Sequence, residues 1–258
     1  MVLRGIWVCL LVLLLWCGEA KSLTLDQRLA NFPHWDSNLS LQLTQPDLIY
    51  PEWMSGTWTV TSTLVEQVAP LAPEIVTPGF EGNRRYLNVP VKFLVRFGEN
   101  RLPMSSSKLI PQPLKVQSAI VADRAFNGLN LAKAVLGDRV IALKVDPDSP
   151  NRQITFLQGD RQLISIVTGR ATQTLDRNDF ITCEVFQQQF RGNGARPFFN
   201  QVESTTAYHY QQSIRAIEAD QVTAVYLSPQ DPDYFSAGSR PVALYRYRLK
   251  FFPPQELQ

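Results

Sequence analysis

The sequence predicts an all-β protein, one antiparallel barrel of about ten strands with a single short internal helix. Three observations carry this. Strict two-residue alternation recurs along the chain, most clearly in Thr57–Leu64. The alternating runs are separated by short Gly, Asp, Asn and Pro segments at hairpin spacing. Strand and helix patterns never alternate regularly, which argues against a parallel sheet. Nor does a composition break divide the 258 residues. The expected organisation is a signal peptide over 1–20, a lead-in over 21–47 and one barrel domain over 48–258.

The first twenty residues read as a targeting segment. Arg4 supplies a positive start, Ile6–Trp16 is uncharged and apolar, and Gly18-Glu19-Ala20 places small residues where a signal peptidase cuts. The apolar run is short for a membrane span. A retained anchor and lipidation at Cys17 are the alternatives. Cleavage after Ala20 removes Cys9 and Cys17 and leaves only Cys183, so no internal disulfide is expected. Cys183 sits in an apolar run and reads as a small buried hydrophobe. The expected location is therefore an exported compartment, soluble or peripheral to a membrane. Asn38-Leu39-Ser40 is a glycosylation sequon that matters only in a eukaryotic secretory route.

In the lead-in, Leu25–Ala30 suits one or two helical turns, and Pro33 stops it. Tyr50 precedes Pro51 and is expected to be extended. Trp58, Val60, Ser62 and Leu64 then share one strand face, with four threonines opposite. Val68–Arg85 is rich in Pro and Gly and reads as a long lid-like loop. Asn88–Gly98 is the second strand, with Val89, Val91, Phe93, Val95 and Phe97 on its apolar face. A second long loop is expected over Glu99–Pro113, then a strand over Lys115–Ala122. Asp123 is placed to cap a helix that ends at Gly137. From Asp138 onward the pattern is a meander: strands near 139–145, 153–158, 162–168, 180–191, 202–213, 221–227 and 242–252, joined by polar turns, with 171–175 either continuing the 162–168 strand or pairing after Gly169.

The chemistry-bearing residues exclude more than they assign. The net charge of +2 does not provide a nucleic-acid footprint. The chain lacks a nucleophile elbow, a phosphate loop and a dinucleotide fingerprint. Two histidines and one mature cysteine give no zinc-ligand spacing. His209 is expected to point outward, opposite Tyr208 and Tyr210. The acids of Asp146-Pro147-Asp148 and Asp231-Pro232-Asp233 read as solvated turn residues, with calcium binding as the other reading. No catalytic residue, metal or cofactor is expected.

The aromatic residues point to a cavity wall instead. Phe180, Phe186 and Phe190 share one strand face with Thr182, Glu184 and Gln188, and Tyr245, Tyr247, Leu249 and Phe251 share another. Aromatics interspersed with a few polar groups suit a ligand cavity. An external patch is the competing reading. The candidate ligand residues are Phe93, Glu184, Phe186, Gln188, Tyr208, Tyr245 and Tyr247.

Gly56-Thr57-Trp58 at the head of the first strand, followed by a long loop and a meander, resembles the lipocalin (calycin) pattern. The resemblance implies that Gly56 and Trp58 close one barrel end and that Trp58 stacks on a basic residue of the last strand, Arg246 or Arg248. Tyr50-Pro51-Glu52-Trp53, Gly56–Leu64, Pro78-Gly79-Phe80 and Val91-Lys92-Phe93 together look like an uncharacterised family shared by cyanobacteria and plant plastids, which implies a periplasm or thylakoid lumen and no mechanism. The expected function is an exported, non-enzymatic lipocalin-like barrel that binds a small apolar ligand such as a lipid, pigment or quinone. The alternative is an interaction or assembly protein of the photosynthetic membrane without a cavity, touching membrane or complex subunits through Arg84, Arg85 and the basic face of the last strand.

Overall fold

The structure is a computed structural model that describes residues 23–35, 37–41, 47–103, 116–192, 194 and 196–254. The expected signal peptide lies outside the described residues.

Ten strands form one sheet: β1 (Gly56–Val68), β2 (Pro90–Pro103), β3 (Val116–Ala122), β4 (Val140–Asp146), β5 (Ser149–Leu157), β6 (Arg161–Thr174), β7 (Asp179–Arg191), β8 (Phe198–Gln211), β9 (Ala216–Leu227) and β10 (Ala243–Phe252). The order is β3-β2-β1-β10-β9-β8-β7-β6-β5-β4, and every neighbouring pair is antiparallel. The alternating stretch read first in the sequence is thus the joint of the molecule. β1 pairs β2 on one side and β10 on the other, tying a three-strand meander to a seven-strand one.

The sheet curls into a half-barrel. Bulges between Leu64 and Glu66 and between Val167 and Gly169 interrupt the ladders, and bulges bend strands and raise local twist. The two ends of the sheet order are not joined by a ladder among the described residues. The helix between them does that work. Asp123 accepts from Phe126 N at 3.0 Å and caps it. The helix runs Arg124–Leu136 and packs against β2, β4 and β5, elements from opposite ends of the order. Short helices precede and follow it, so in chain order they are α1 (Leu25–Ala30), α2 (Phe80–Asn83), α3 (Arg124–Leu136) and α4 (Tyr234–Ala237). Asn127 fixes α3 to the open edge of β2: its side-chain oxygen accepts from Arg96 N at 2.6 Å, and its amide donates to Arg96 O at 3.1 Å.

One strand runs further than its pattern suggests, and one open alternative is decided. β2 continues to Pro103 and pairs with β3 from Phe97 onward, where a loop was expected after Gly98. Glu99, Asn100 and Arg101 hide it, because all three are exposed and a strand end wet on both faces shows no apolar alternation. Gly169 does not divide β6, which continues to Thr174.

The lead-in is a strap on the convex face. Leu25, Leu29 and Trp35 pack with Ile181, Cys183, Val222, Ala224, Tyr226 and Leu244. At its centre the Arg28 guanidinium meets the Glu203 carboxylate, Nε–Oε1 2.7 Å and Nη2–Oε2 3.0 Å, with Glu203 fully buried. Arg28 also donates to Ser37 O and lies 4.3 Å over the Trp35 ring. Tyr226 donates to Glu203 at 3.0 Å and accepts from Trp35 Nε1 at 3.0 Å. At the strap's end Leu41 presses on Gly169, where a Cβ would sit 2.6 Å from the Leu41 Cβ. Cys183 lies beneath the strap, and burial pushes its thiol far up, as befits a packing residue.

Candidate ligand-binding face

The concave face is plugged at one end. Gly56 takes φ +113°, a conformation open to glycine, as the chain turns into β1. Just before it, a 3-10 turn at Glu52–Met54 folds under the half-barrel. The Trp58 indole N–H donates to Met54 O at 2.8 Å. Trp53 stacks on Tyr210 with centroids 5.3 Å apart and donates to Arg177 O at 3.0 Å. Tyr50 reaches across the interior, its ring 4.8 Å from Phe97 on β2 and 6.0 Å from Phe180 on β7. These rings join Val60, Val95, Ile217, Leu249 and Phe251 in the main core.

The expected partner of Trp58 is a correction. Trp58 does not stack on Arg246 or Arg248. Both follow the opposite parity from Tyr245, Tyr247 and Leu249, so they lie on the convex face. There Arg246 bonds Asp220 at 3.0 and 2.5 Å and sits 5.2 Å over Phe32 of the strap. Arg248 is exposed, 3.9 Å from the same carboxylate.

At the other end the β1–β2 loop folds over the sheet as a lid. Phe80, on α2, packs against Leu64, Ala243 and Tyr245. The Gln67 amide donates to Phe80 O at 3.2 Å, Asn83 donates to the Tyr245 hydroxyl at 3.1 Å, and Asn88 N donates to Leu64 O at 2.8 Å. A cleft of about 460 Å³ opens outside this cover, between Pro70–Ile75 and the Asp233–Arg240 loop, and holds none of the predicted ligand residues.

Between plug and lid, cross-strand pairing aligns side chains into rows, since directly opposed residues share a face. Nearest the plug runs Ser62–Leu249–Ala219–Tyr208–Phe180. The next row is Leu64–Tyr247–Gln221–Thr206–Thr182. Above it comes Gln67–Tyr245–Thr223–Ser204–Glu184–Arg170. The row after that is apolar, Ala243–Val225–Val202–Phe186–Val167. All seven predicted ligand residues, Phe93, Glu184, Phe186, Gln188, Tyr208, Tyr245 and Tyr247, fall on this concave face. His209 points the other way, exposed and 2.7 Å from Asp179.

Two adjacent polar rows across a curled sheet are not a dry core. Thr206 and Thr182 are buried, and they form the floor. Gln67, Thr223, Ser204, Gln221 and Glu184 are half-buried and keep partial access to solvent. Thr206 donates to Gln221 Oε1 at 3.2 Å, and the Gln221 amide donates to Thr223 Oγ1 at 3.2 Å. The Gln67 side-chain oxygen is buried and accepts no hydrogen bond among the described residues. Burial pushes the Tyr247 hydroxyl up to about 12 and raises Tyr208 and Tyr245 as well.

A charged cluster closes the row at the α3 end. Arg124, the first residue of the helix, lies 2.6 Å from Asp47 and 2.7 Å from Glu184. Arg170 lies 3.3 Å from Glu184 and donates to Asn151 at 2.7 Å. Burial works against the Arg124 charge, but Glu184 and Asp47 outweigh it and hold its proton more tightly than water would. For Arg170 burial wins and lowers the pKa. Two cations and two carboxylates neutralise one another here.

Sequence reasoning found the aromatics of this face and missed Arg124, Arg170, Asp47, Gln67, Thr223 and Ser204. Arg124 had a usable signal, since it directly follows the Asp123 cap and so sits at the inward-turned start of the helix. Arg170, Gln67, Thr223 and Ser204 are brought together only by register, and Asp47 only by the path of the lead-in.

Residues 42–255 match the model of a domain of unknown function, DUF6816, and the chain belongs to that family. No curated protein and no solved structure matches the chain.

Proposed function

We propose that this DUF6816 chain is a non-enzymatic binding protein that holds a small molecule on its concave face, between the Trp58 plug and the Phe80 lid. The observation that carries this is the row Gln67–Tyr245–Thr223–Ser204–Glu184, half-buried at every position but the buried Tyr245, beside the apolar row Val225–Val202–Phe186. A well-packed core would not align four half-buried polar side chains and a tyrosine hydroxyl across five strands, because each polar group costs free energy to bury unpaired. A ligand site combines an apolar wall with a few oriented polar groups. The charged side chains on this face are engaged with each other, which supports binding over chemistry. The proposal refines the ligand expected from sequence: it is amphipathic, a lipid, pigment or quinone with a polar end, since a wholly apolar body would dehydrate this row.

The proposal includes export after Ala20, on the pattern of Arg4, the uncharged Ile6–Trp16 run and Gly18-Glu19-Ala20. Among the described residues no helix is long and apolar enough to cross a membrane. A second reading, an interaction protein acting at a membrane or complex surface, is favoured by Phe235, which stands 90% exposed on α4 at the lid end.

Native mass spectrometry of the protein purified from its own source tests the proposal. A stoichiometric small molecule, lost in Phe186→Arg, is the expected result. A bare mass whose only adducts are protein subunits overturns ligand binding and leaves the second reading.

A further inference from the structure

The rows of the concave face specify the chemistry of the ligand's polar end. Resting on the reading of this face as the binding site, we propose that the ligand carries a neutral polyhydroxylated ring, a sugar or sugar-like headgroup, laid along Gln67–Tyr245–Thr223–Ser204.

The groups in that row set the chemistry. Thr223 and Ser204 carry hydroxyls, which donate and accept. Thr223 already accepts from the Gln221 amide at 3.2 Å, so its remaining capacity includes its own O–H. Gln67 has its amide committed to Phe80 O at 3.2 Å, so the orientation of its side chain is set, and its buried oxygen awaits a donor. The Tyr245 oxygen accepts from Asn83 at 3.1 Å, which leaves its own O–H to donate, while its ring is buried against Phe80. The row thus asks for a partner with several O–H groups that both give and take hydrogen bonds.

The charges exclude the simpler alternatives. A phosphate or carboxylate headgroup would face Glu184, and Arg124 is already held by Asp47 and Glu184 at 2.6 and 2.7 Å. An ammonium headgroup would compete for a Glu184 that Arg124 and Arg170 both reach, at 2.7 and 3.3 Å. A plain hydrocarbon would dehydrate Gln67, Thr223 and Ser204 and return no hydrogen bond.

The dimensions agree. Strands lie about 4.8 Å apart, so the run from β1 to β7 spans roughly 19 Å, and rows two residues apart are separated by about 7 Å. That is room for one or two six-membered rings. The apolar row Ala243–Val225–Val202–Phe186 runs alongside, as an alkyl or isoprenoid tail joined to the ring would require.

The same headgroup chemistry belongs to a free sugar and to a glycolipid, and the test separates them. The full chain is titrated by calorimetry with octyl β-glucoside below its micelle concentration, with glucose, and with 1-octanol. Wild type, Ser204→Ala and Ser204→Ala/Thr223→Val are compared after their melting temperatures are matched. The expected result is saturable one-to-one binding of octyl β-glucoside, weakened at least tenfold in the double variant, with 1-octanol unaffected by either substitution. If glucose competes, the source is a free sugar; if glucose fails to compete, it is a ring joined to a tail. Octanol and octyl glucoside binding equally well, with both variants neutral, overturns the headgroup and leaves the binding face intact. Failure of all three probes to bind overturns the headgroup and, with it, the reading of this face. Since the comparison among probes is made on wild type, it stands even if the double variant does not fold.

Discussion

Arg28→Met is the sharpest perturbation of this architecture. Arg28 is almost fully buried, and Glu203 is completely so. The substitution keeps an unbranched apolar stem of similar length and removes the two contacts to Glu203 at 2.7 and 3.0 Å, the bond to Ser37 O and the cation over Trp35. Glu203 retains Tyr226 at 3.0 Å and the weaker donors Leu39 N and Thr205 at 3.4 Å, with no countercharge. Removing one partner of a buried pair costs about 3–5 kcal/mol, because the other charge stays desolvated. For a domain of this size that corresponds to a fall in Tm of roughly 6–20 °C. Urea denaturation followed by tryptophan fluorescence measures it, with Trp35 reporting from the site itself. Arg28→Met/Glu203→Leu is expected to recover much of the loss, since an apolar pair of similar volume leaves nothing charged to bury. A single variant that loses under about 1 kcal/mol, or a double variant no better than the single, refutes the view that the strap is anchored by this pair.

Three further outcomes follow from the geometry. Gly169→Ala places a Cβ 2.6 Å from the Leu41 Cβ and 2.7 Å from its carbonyl oxygen, so the strap's end must move; a loss of about 1–3 kcal/mol and faster proteolysis near Leu41 are expected, and an unchanged digestion pattern contradicts the contact. Asp123→Ala removes the cap on α3 and the partner of Arg96 at 2.6 Å; about 1 kcal/mol is expected to go, with faster amide exchange confined to the helix start. Five of the eight tyrosines, Tyr50, Tyr208, Tyr226, Tyr245 and Tyr247, have hydroxyls raised chiefly by burial. The folded state therefore holds those protons where the unfolded state releases them. Stability is complete below about pH 10 and falls as pH rises beyond it, Tyr247 alone accounting for about 2–3 kcal/mol by pH 12. Absorbance at 295 nm should rise with unfolding; five early, reversible ionisations in the native protein would contradict the burial.

Legibility tracked the range of the interactions. β1, β7 and β10 declare themselves because alternation is local, and α3 does because its cap and stop are local. Tyr245 and Tyr247 were recognisable as wall residues because one strand face suffices to group them. The polar end of β2 was not, because a strand end exposed on both faces lacks the contrast that alternation needs. Nor was the role of the lead-in: Leu25, Arg28 and Leu29 have helical spacing, but only Glu203, 175 residues away, explains a buried arginine among them.

By itself, the sequence determined an all-β antiparallel chain, its capped internal helix, and the two faces of the strands that alternate. These follow from side-chain period and backbone conformation, which adjacent residues control. Only the tertiary structure decided which strands lie side by side, and so which residues meet. Register put Gln67, Tyr245, Thr223, Ser204 and Glu184 in one line, from five separate strands. The curl decided which face of β10 is inside, leaving Arg246 and Arg248 on the convex side with Asp220 and the strap. Strand parity can be read along a chain; pairing across a curled sheet is fixed by bulges, by a helix at the seam and by a buried ion pair, and those contacts exist only once the chain has closed on itself.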